Sequence, residues 1–197
     1  MTIGYFQSAE DELDTGACNR MGIDFTRRIT GGGAVFHDNE LTYSFITREF
    51  PQNIKESYEW VCGPIIKALN HLGFPAQFSG LNDITVNGKK VSGNAQTRKK
   101  GVLLQHGTIL LRVDTEKMFT LLKVPNEKLK DKMISAVKER VMGLGISPEI
   151  LGDKIKGCFA EQFSSELVSS EPSKQELELA EQHSNQKFRN REWIFKR

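Results

Sequence analysis

Leu41, Tyr43 and Phe45 alternate with Thr42 and Ser44, the period of two that a half-buried strand requires. Ile54 to Leu72 follows the helical period instead, with Tyr58, Val61, Ile65, Ala68, Leu69 and Leu72 on one stripe. Gly73 ends that helix and Pro75 prevents its resumption. Further upstream, Thr2 to Gln7 reads as a short strand. Ser8 with Asp11 reads as an N-cap opening a helix to about Met21, and Ile23 to Ile29 is strand-like. Asn82 to Val86 and Lys89 to Ala95 flank Asn87-Gly88, a pair suited to the positive φ angles of a tight hairpin turn. A strand over Val102 to Val113 follows through Arg98-Lys99-Lys100-Gly101. The remainder predicts helices over Thr115 to Leu122, around Asn126 to Val141, over Pro148 to Phe163 and over Ser173 to Ser184, with a Ser- and Glu-rich loop at Ser164 to Ser173. Strands early and helices late imply an α+β fold, an antiparallel or mixed sheet packed with helices.

Composition narrows the partners. The 197 residues are enough for one domain with a core, with 38% apolar and 26% charged residues. The expectation is therefore a single domain over 1–197, with a motif core at 2–113 and a helical part at 114–197. A balance of 27 basic against 25 acidic residues, net +2, gives no footprint for nucleic acid. No run approaches the ~18 apolar residues of a membrane span. No basic flank and apolar stretch open the chain, so no signal peptide is expected. Cys18, Cys62 and Cys158 are widely and irregularly spaced, which points to a reducing cytoplasm and away from a disulfide framework or zinc site.

Two blocks carry chemistry. Arg27-Arg28-Ile29-Thr30-Gly31-Gly32-Gly33-Ala34-Val35-Phe36-His37-Asp38 sets three glycines between strand-like segments. Ordering them costs entropy, which a fold tolerates where backbone must approach something closely. Freed amides can cradle phosphate or carboxylate oxygens, and Arg28 offers a planar donor fork. Alone, such a run is equally compatible with a surface turn. It is neither a P-loop nor a Gly-x-Gly-x-x-Gly dinucleotide loop.

The second block is the Asn82 to Ala95 hairpin. Its strand ends lie side by side, so Asp83, Asn82 and Lys90 are candidates to face one cavity. Asp83 is a plausible magnesium ligand, and Lys90 a compact cation for developing negative charge. A solvated Lys89-Lys90 pair beside a turn is the plainer alternative. Ser92, Gly93 and Ala95 leave room for a ligand or for close packing. His106, in Gln105-His106-Gly107-Thr108, is by itself more often structural than catalytic.

In their order these blocks resemble the lipoate–protein ligase family, with its octanoyltransferase and biotin ligase relatives. The likeness runs through Gly4-Tyr5-Phe6-Gln7, Arg27 to Asp38, Leu41 to Phe45, Asn82-Asp83, Lys90 to Ala95 and His106 to Leu110. The later helices look like those of archaeal bipartite ligases. The resemblance implies a class II aminoacyl-tRNA synthetase-like and biotin ligase-like fold. It also implies a magnesium–ATP reaction that couples lipoate or octanoate to AMP and passes the acyl group to a lysine of a lipoyl carrier domain. That carrier would be a 2-oxoacid dehydrogenase E2 or a glycine cleavage H protein.

The family pattern puts the catalytic lysine at Lys90 and the metal at Asp83. Nucleotide and acyl binding would fall to Arg28, Thr30, Gly31, Gly32, Gly33, Ala34, Val35, Phe36, His37, Asn82, Gly93, Ala95 and His106. Tyr5, Val35, Phe36 and Leu104 are candidates for an acyl tunnel wall. Members usually begin with a further strand and helix, which implies a late start here or elements supplied from elsewhere. The length resembles bipartite ligases, so a small accessory subunit for adenylation is expected.

The rival implied by the same resemblance is an octanoyltransferase, which moves octanoyl from acyl carrier protein without ATP. One branch uses a cysteine just upstream of the hairpin, where this chain has Phe78-Ser79-Gly80-Leu81. Another pairs the lysine with a distant cysteine, for which Cys158 is the candidate. Gln96-Thr97-Arg98 and Gln105-His106-Gly107 look like the transferase branch. A non-catalytic lipoate or acyl-adenylate binder is the third reading.

Overall fold

The structure, a computed structural model, describes residues 1–196. In chain order the elements are β1 (Thr2–Ile3), α1 (Ala9–Glu12), α2 (Thr15–Arg20), β2 (Thr26–Arg27), β3 (Glu40–Thr47), α3 (Ile54–His71), β4 (Ala76–Ser79), β5 (Asp83–Val86), β6 (Lys89–Lys99) and β7 (Val102–Leu110). Helices α4 (Thr115–Leu121), α5 (Glu127–Arg140), α6 (Pro148–Gln162) and α7 (Lys174–His183) follow, then a π-helical turn (Ser184–Phe188) and α8 (Arg191–Ile194). They divide into two compact units. The first comprises Met1–His37, Thr115–Asp131 and the chain from Val168; the second comprises Asp38–Asp114 and Lys132–Leu167.

In the second unit a five-stranded antiparallel sheet runs β3-β7-β6-β5-β4. The α+β expectation with an antiparallel sheet is met. Helices α3 and α6 supply Cys62, Ile65, Ala68, Leu69, Leu151, Ile155 and Cys158 to a core shared with Ile84, Val86, Val91 and Ile109 of the strands. Pro64 lies inside α3 and cannot donate to Trp60 O. Gln162 Nε2 of α6 donates to that carbonyl at 2.9 Å, so the broken helical bond becomes a helix–helix tie. Asn87 at φ 50° and Gly88 at φ 76° form the expected tight turn between β5 and β6, and Lys100 and Gly101 turn the same way between β6 and β7.

The first unit buries Met1, Ile3, Ala9, Leu13, Cys18, Leu121 and Ile194 together. Here the sequence reading needs correction. The helix expected from Ser8 to Met21 is two short ones: Leu13 bridges Leu122, and Asp14 N–H donates to Leu121 O, which takes the backbone out of helical bonding. Asp14 then caps α2 by accepting from Ala17 N–H at 2.7 Å. The long strands expected over residues 2–7 and 23–29 shrink to a parallel two-residue pair, β1 with β2. In the second unit β4 was not anticipated; between Pro75 and Gly80 it is too short to show a period.

Candidate active site

In the second unit Asp83 pairs with Gly93 across β5 and β6, Gly93 with Thr108, and Ala95 with His106. Directly paired residues share a face, and this face is opposite the one carrying Ser92, Asn94, Gln105 and Ile109. Lys90 would point the other way in a regular ladder. The register shifts, however: Ile84 faces Ser92 while Thr85 faces Lys90, leaving Val91 extra. This bulge re-aims Lys90 onto the face of Asp83 and Gly93.

The Lys90 side chain lies across Gly93. A Cβ there would stand 3.0 Å from both Cε and Nζ of Lys90 and 3.8 Å from Asp83 Oδ1. Nζ is 2.7 Å from Asp83 Oδ1. That oxygen is shielded from solvent and has no partner at hydrogen-bonding angles among the described residues, so the contact is a charge pair. About 40% of the Lys90 side chain remains exposed. Its backbone is fixed too: Met142 N–H donates to Lys90 O at 3.0 Å. Asn82 does not touch Lys90 among these contacts; its carbonyl accepts from the Asn94 side-chain amide at 2.8 Å and from Asn94 N–H at 3.0 Å.

Sequence reasoning missed Asn94, together with Tyr43, Gln96 and Gln105, which join it in a hydrogen-bonded chain. The available signal was polar residues at the core-facing parity of β6 and β7: Ser92, Asn94 and Gln96, and Gln105.

In the first unit the glycine loop is folded against β1. Thr2 and Val35 exchange backbone hydrogen bonds at 2.9 and 2.8 Å, and Tyr5 N–H donates to Thr30 O. Gly4 and Gly32 approach so closely that a Cβ on Gly4 would sit 1.9 Å from Gly32 O. Thr30 is buried, Ala34 and Phe36 pack on this unit's core, and His37 Nε2 lies 2.8 Å from Thr2 Oγ1. Phe36 is thereby partly buried against that core. Arg28 does not extend its fork outward: Nη2 donates to Gly31 O and Gly33 O, both at 2.8 Å. It shapes the loop by holding its carbonyls on one side. Among the described residues the amides of Gly31, Gly32, Gly33 and Ala34 donate to no backbone carbonyl.

Arg27, given no role from the sequence, is buried. It donates to the carbonyls of Gly4, Tyr5, Gln7, Trp193, Ile194 and Lys196, tying the two chain ends of this unit together.

The three thiols are all buried. Burial raises Cys18 and Cys158, and it pushes Cys62 up to about 12 despite a hydrogen bond from Gln105 Nε2. Cys158 Sγ lies 3.9 Å from His71 Nδ1, yet its thiol stays above its ordinary value. None has the environment of an activated nucleophile.

The family described as the lipoyl protein ligase A/B catalytic domain matches residues 1–164, and the chain belongs to it. Among its relatives is octanoyltransferase LipM of Clostridioides difficile, 38% identical over 228 residues that cover this whole chain and 83% of that protein. LipM of Bacillus subtilis is 32% identical over 230 residues with the same coverage. Among solved structures, the bipartite lipoate protein ligase of Thermoplasma acidophilum, described with its E2 lipoyl domain, superposes at a TM-score of 0.92 with 30% identity. The match covers 98% of this chain and 79% of that one.

These relatives overturn the reading of an ATP-dependent ligase. The matched proteins that span the whole chain at 32–38% identity are octanoyltransferases, and the assignments of ATP and Mg2+ fall with that reading. Asp83, expected as the metal ligand, instead faces the Lys90 ammonium. Among the described residues no helix is long and apolar enough to cross a membrane.

Proposed function

We propose that this chain transfers octanoyl from an acyl-carrier thioester to a lysine of a lipoyl domain, without nucleotide. The supporting observation is the Lys90 ammonium, held by Asp83 across Gly93 on a side chain that stays partly exposed, in a chain matched over its whole length by octanoyltransferases. A thioester is already activated, so the task left to the protein is to orient two substrates and stabilise an oxyanion. The acceptor amine attacks the thioester carbonyl, and a C–N bond forms as the C–S bond breaks. The carrier thiolate leaves and takes up the proton released by the nitrogen. Lys90 donates to the carbonyl oxygen as its charge develops, and Asp83 keeps the ammonium aimed. Within the second unit, Ala95 and His106 are proposed to bind the acyl donor; in the first unit, the Thr30 to Val35 backbone is proposed, by itself, to bind carboxylate or phosphate oxygens. Arg28 serves by ordering the loop.

The buried, thiolate-poor cysteines favour direct transfer over a cysteinyl thioester, so Cys158 is read as packing. The partner is a lipoyl domain, of the E2 class that accompanies the Thermoplasma ligase or the glycine cleavage H protein. The small accessory subunit was tied to adenylation and is not carried over. The test is octanoyl transfer from octanoyl-carrier protein to a lipoyl domain, read by mass, with Lys90→Ala and Cys158→Ala beside the parent. The expected result is transfer without ATP, lost by ~10²-fold or more in Lys90→Ala and retained in Cys158→Ala. Transfer by the parent that Lys90→Ala leaves intact would sink the assignment.

A further inference from the structure

A polar chain, buried at Ser57, Gln105 and Asn94 and half-buried elsewhere, crosses the core face of the five-stranded sheet in the second unit. Arg98 Nη2 donates to Ser57 Oγ at 2.6 Å, and Ser57 Oγ to Gln96 Oε1 at 2.9 Å. Gln96 Nε2 donates to Gln105 Oε1 at 2.6 Å, Gln105 Nε2 to Tyr43 Oη at 2.6 Å, and Tyr43 Oη to Asn94 Oδ1 at 2.6 Å. Asn94 Nδ2 then donates to Asn82 O. A core of this size needs no polar line, and buried polar groups impose a cost unless each is satisfied.

The backbone is built around the line. Tyr43 and Asn94 both pair with Gly107, one on each side of β7. A Cβ on Gly107 would meet Asn94 Oδ1 at 2.1 Å and Tyr43 Cε1 at 2.7 Å, so the glycine clears the path for a hydrogen bond spanning three strands. Gln105 is fully buried and Asn94 nearly so. At its end the line grips Asn82 from both sides: Asn82 O accepts twice from Asn94, and Asn82 Nδ2 donates to Asn94 O. The next residue, Asp83, holds Lys90.

We propose that Tyr43 and Asn94 are positioning residues: through Asn82 they fix the start of β5, so that Asp83 holds Lys90 over Gly93 for acyl transfer. The proposal rests on the transfer reading for its catalytic half. Its geometric half stands alone, and the test separates them.

Lys89, exposed and adjacent to Lys90, is an internal reference. Trace acetylation of the native chain, read by mass as the Lys90-to-Lys89 ratio, reports how tightly Asp83 holds the ammonium. In Tyr43→Phe and Asn94→Ala the expected ratio rises by about threefold or more, the scale of a released surface ion pair. The kcat for octanoyl transfer should fall by ~10-fold with KM within ~2-fold. Tyr43→Phe, which removes one oxygen, carries the test if Asn94→Ala does not fold. An unchanged ratio in a variant with native circular dichroism overturns the proposal. So does an unchanged kcat when the parent is active. A raised ratio in a chain whose parent transfers no octanoyl upholds the positioning role and sinks the transfer reading alone.

Discussion

Replacing Gly93 by alanine separates activity from stability at the proposed site. The backbone there is extended, outside the left-handed region, so an L-residue fits without strain. Alanine also loses less chain entropy than glycine on folding, a gain of ~0.5–1 kcal/mol. Against this, the new Cβ lies 3.0 Å from Lys90 Cε and Nζ. Because that is the flexible end of a side chain, the contact relaxes by moving the lysine and leaves the sheet in place. With the sheet left in place, the melting temperature should stay within about 5 °C of the parent. The ammonium cannot stay where it is. Losing one oxyanion donor outright costs ~10²–10³ in kcat. A displacement of a few tenths of an ångström forfeits part of this, at least ~10-fold, or ~1.4 kcal/mol. The assay is octanoyl transfer at saturating carrier beside a thermal melt. A variant that melts early but keeps the parent's kcat would refute the reasoning, since the glycine would then serve packing alone.

Two further outcomes follow from buried groups. Arg27→Met keeps the bulk but strips donors from the carbonyls of Gly4, Tyr5, Gln7, Trp193, Ile194 and Lys196. At ~1–3 kcal/mol for a buried unsatisfied group, a loss of ~3 kcal/mol or more is expected by denaturant titration, and a midpoint like the parent's would contradict the hub assigned to Arg27. Cys62 rises from an ordinary 9.0 to about 12 because burial disfavours its thiolate. Its raised value means the folded chain keeps a proton that the unfolded chain releases. The Cys62 contribution is therefore intact below pH 9 and is lost between about 9 and about 12; Cys62→Ala should make the alkaline decline shallower in melts across the range, the rest coming from the other raised groups, Cys18, Cys158 and Tyr58 among them.

What could be read in advance follows from how local each cause is. The β5–β6 hairpin was legible because Asn87-Gly88 specifies the turn, and the turn brings Asp83 within reach of Lys90. Helix α3 was legible from its stripe, down to the glycine that ends it. The bulge was not, since an extra Val91 shows only when β5 lies alongside, and without it Lys90 would turn to the core face. Nor was the fate of Arg28, whose fork is consumed by Gly31 and Gly33 carbonyls that the loop folds back toward it. Long side chains choose among distant acceptors, and the choice is made by tertiary structure.

The misreading of the energy source has a different origin. A ligase and a transferase both need a cation at an acyl oxygen, so a lysine in the place of Lys90 suits either chemistry. What differs is whether the acyl group arrives already activated, and that is a property of the donor. A lysine held 2.7 Å from a carboxylate carries no mark of which leaving group it will face, AMP or a carrier thiol. Full-length relatives carry that information where the local pattern does not. The same reasoning explains why three buried thiols weigh in favour of the direct transfer proposed above: a thioester donor facing an acceptor amine needs no third nucleophile, provided both are held in place.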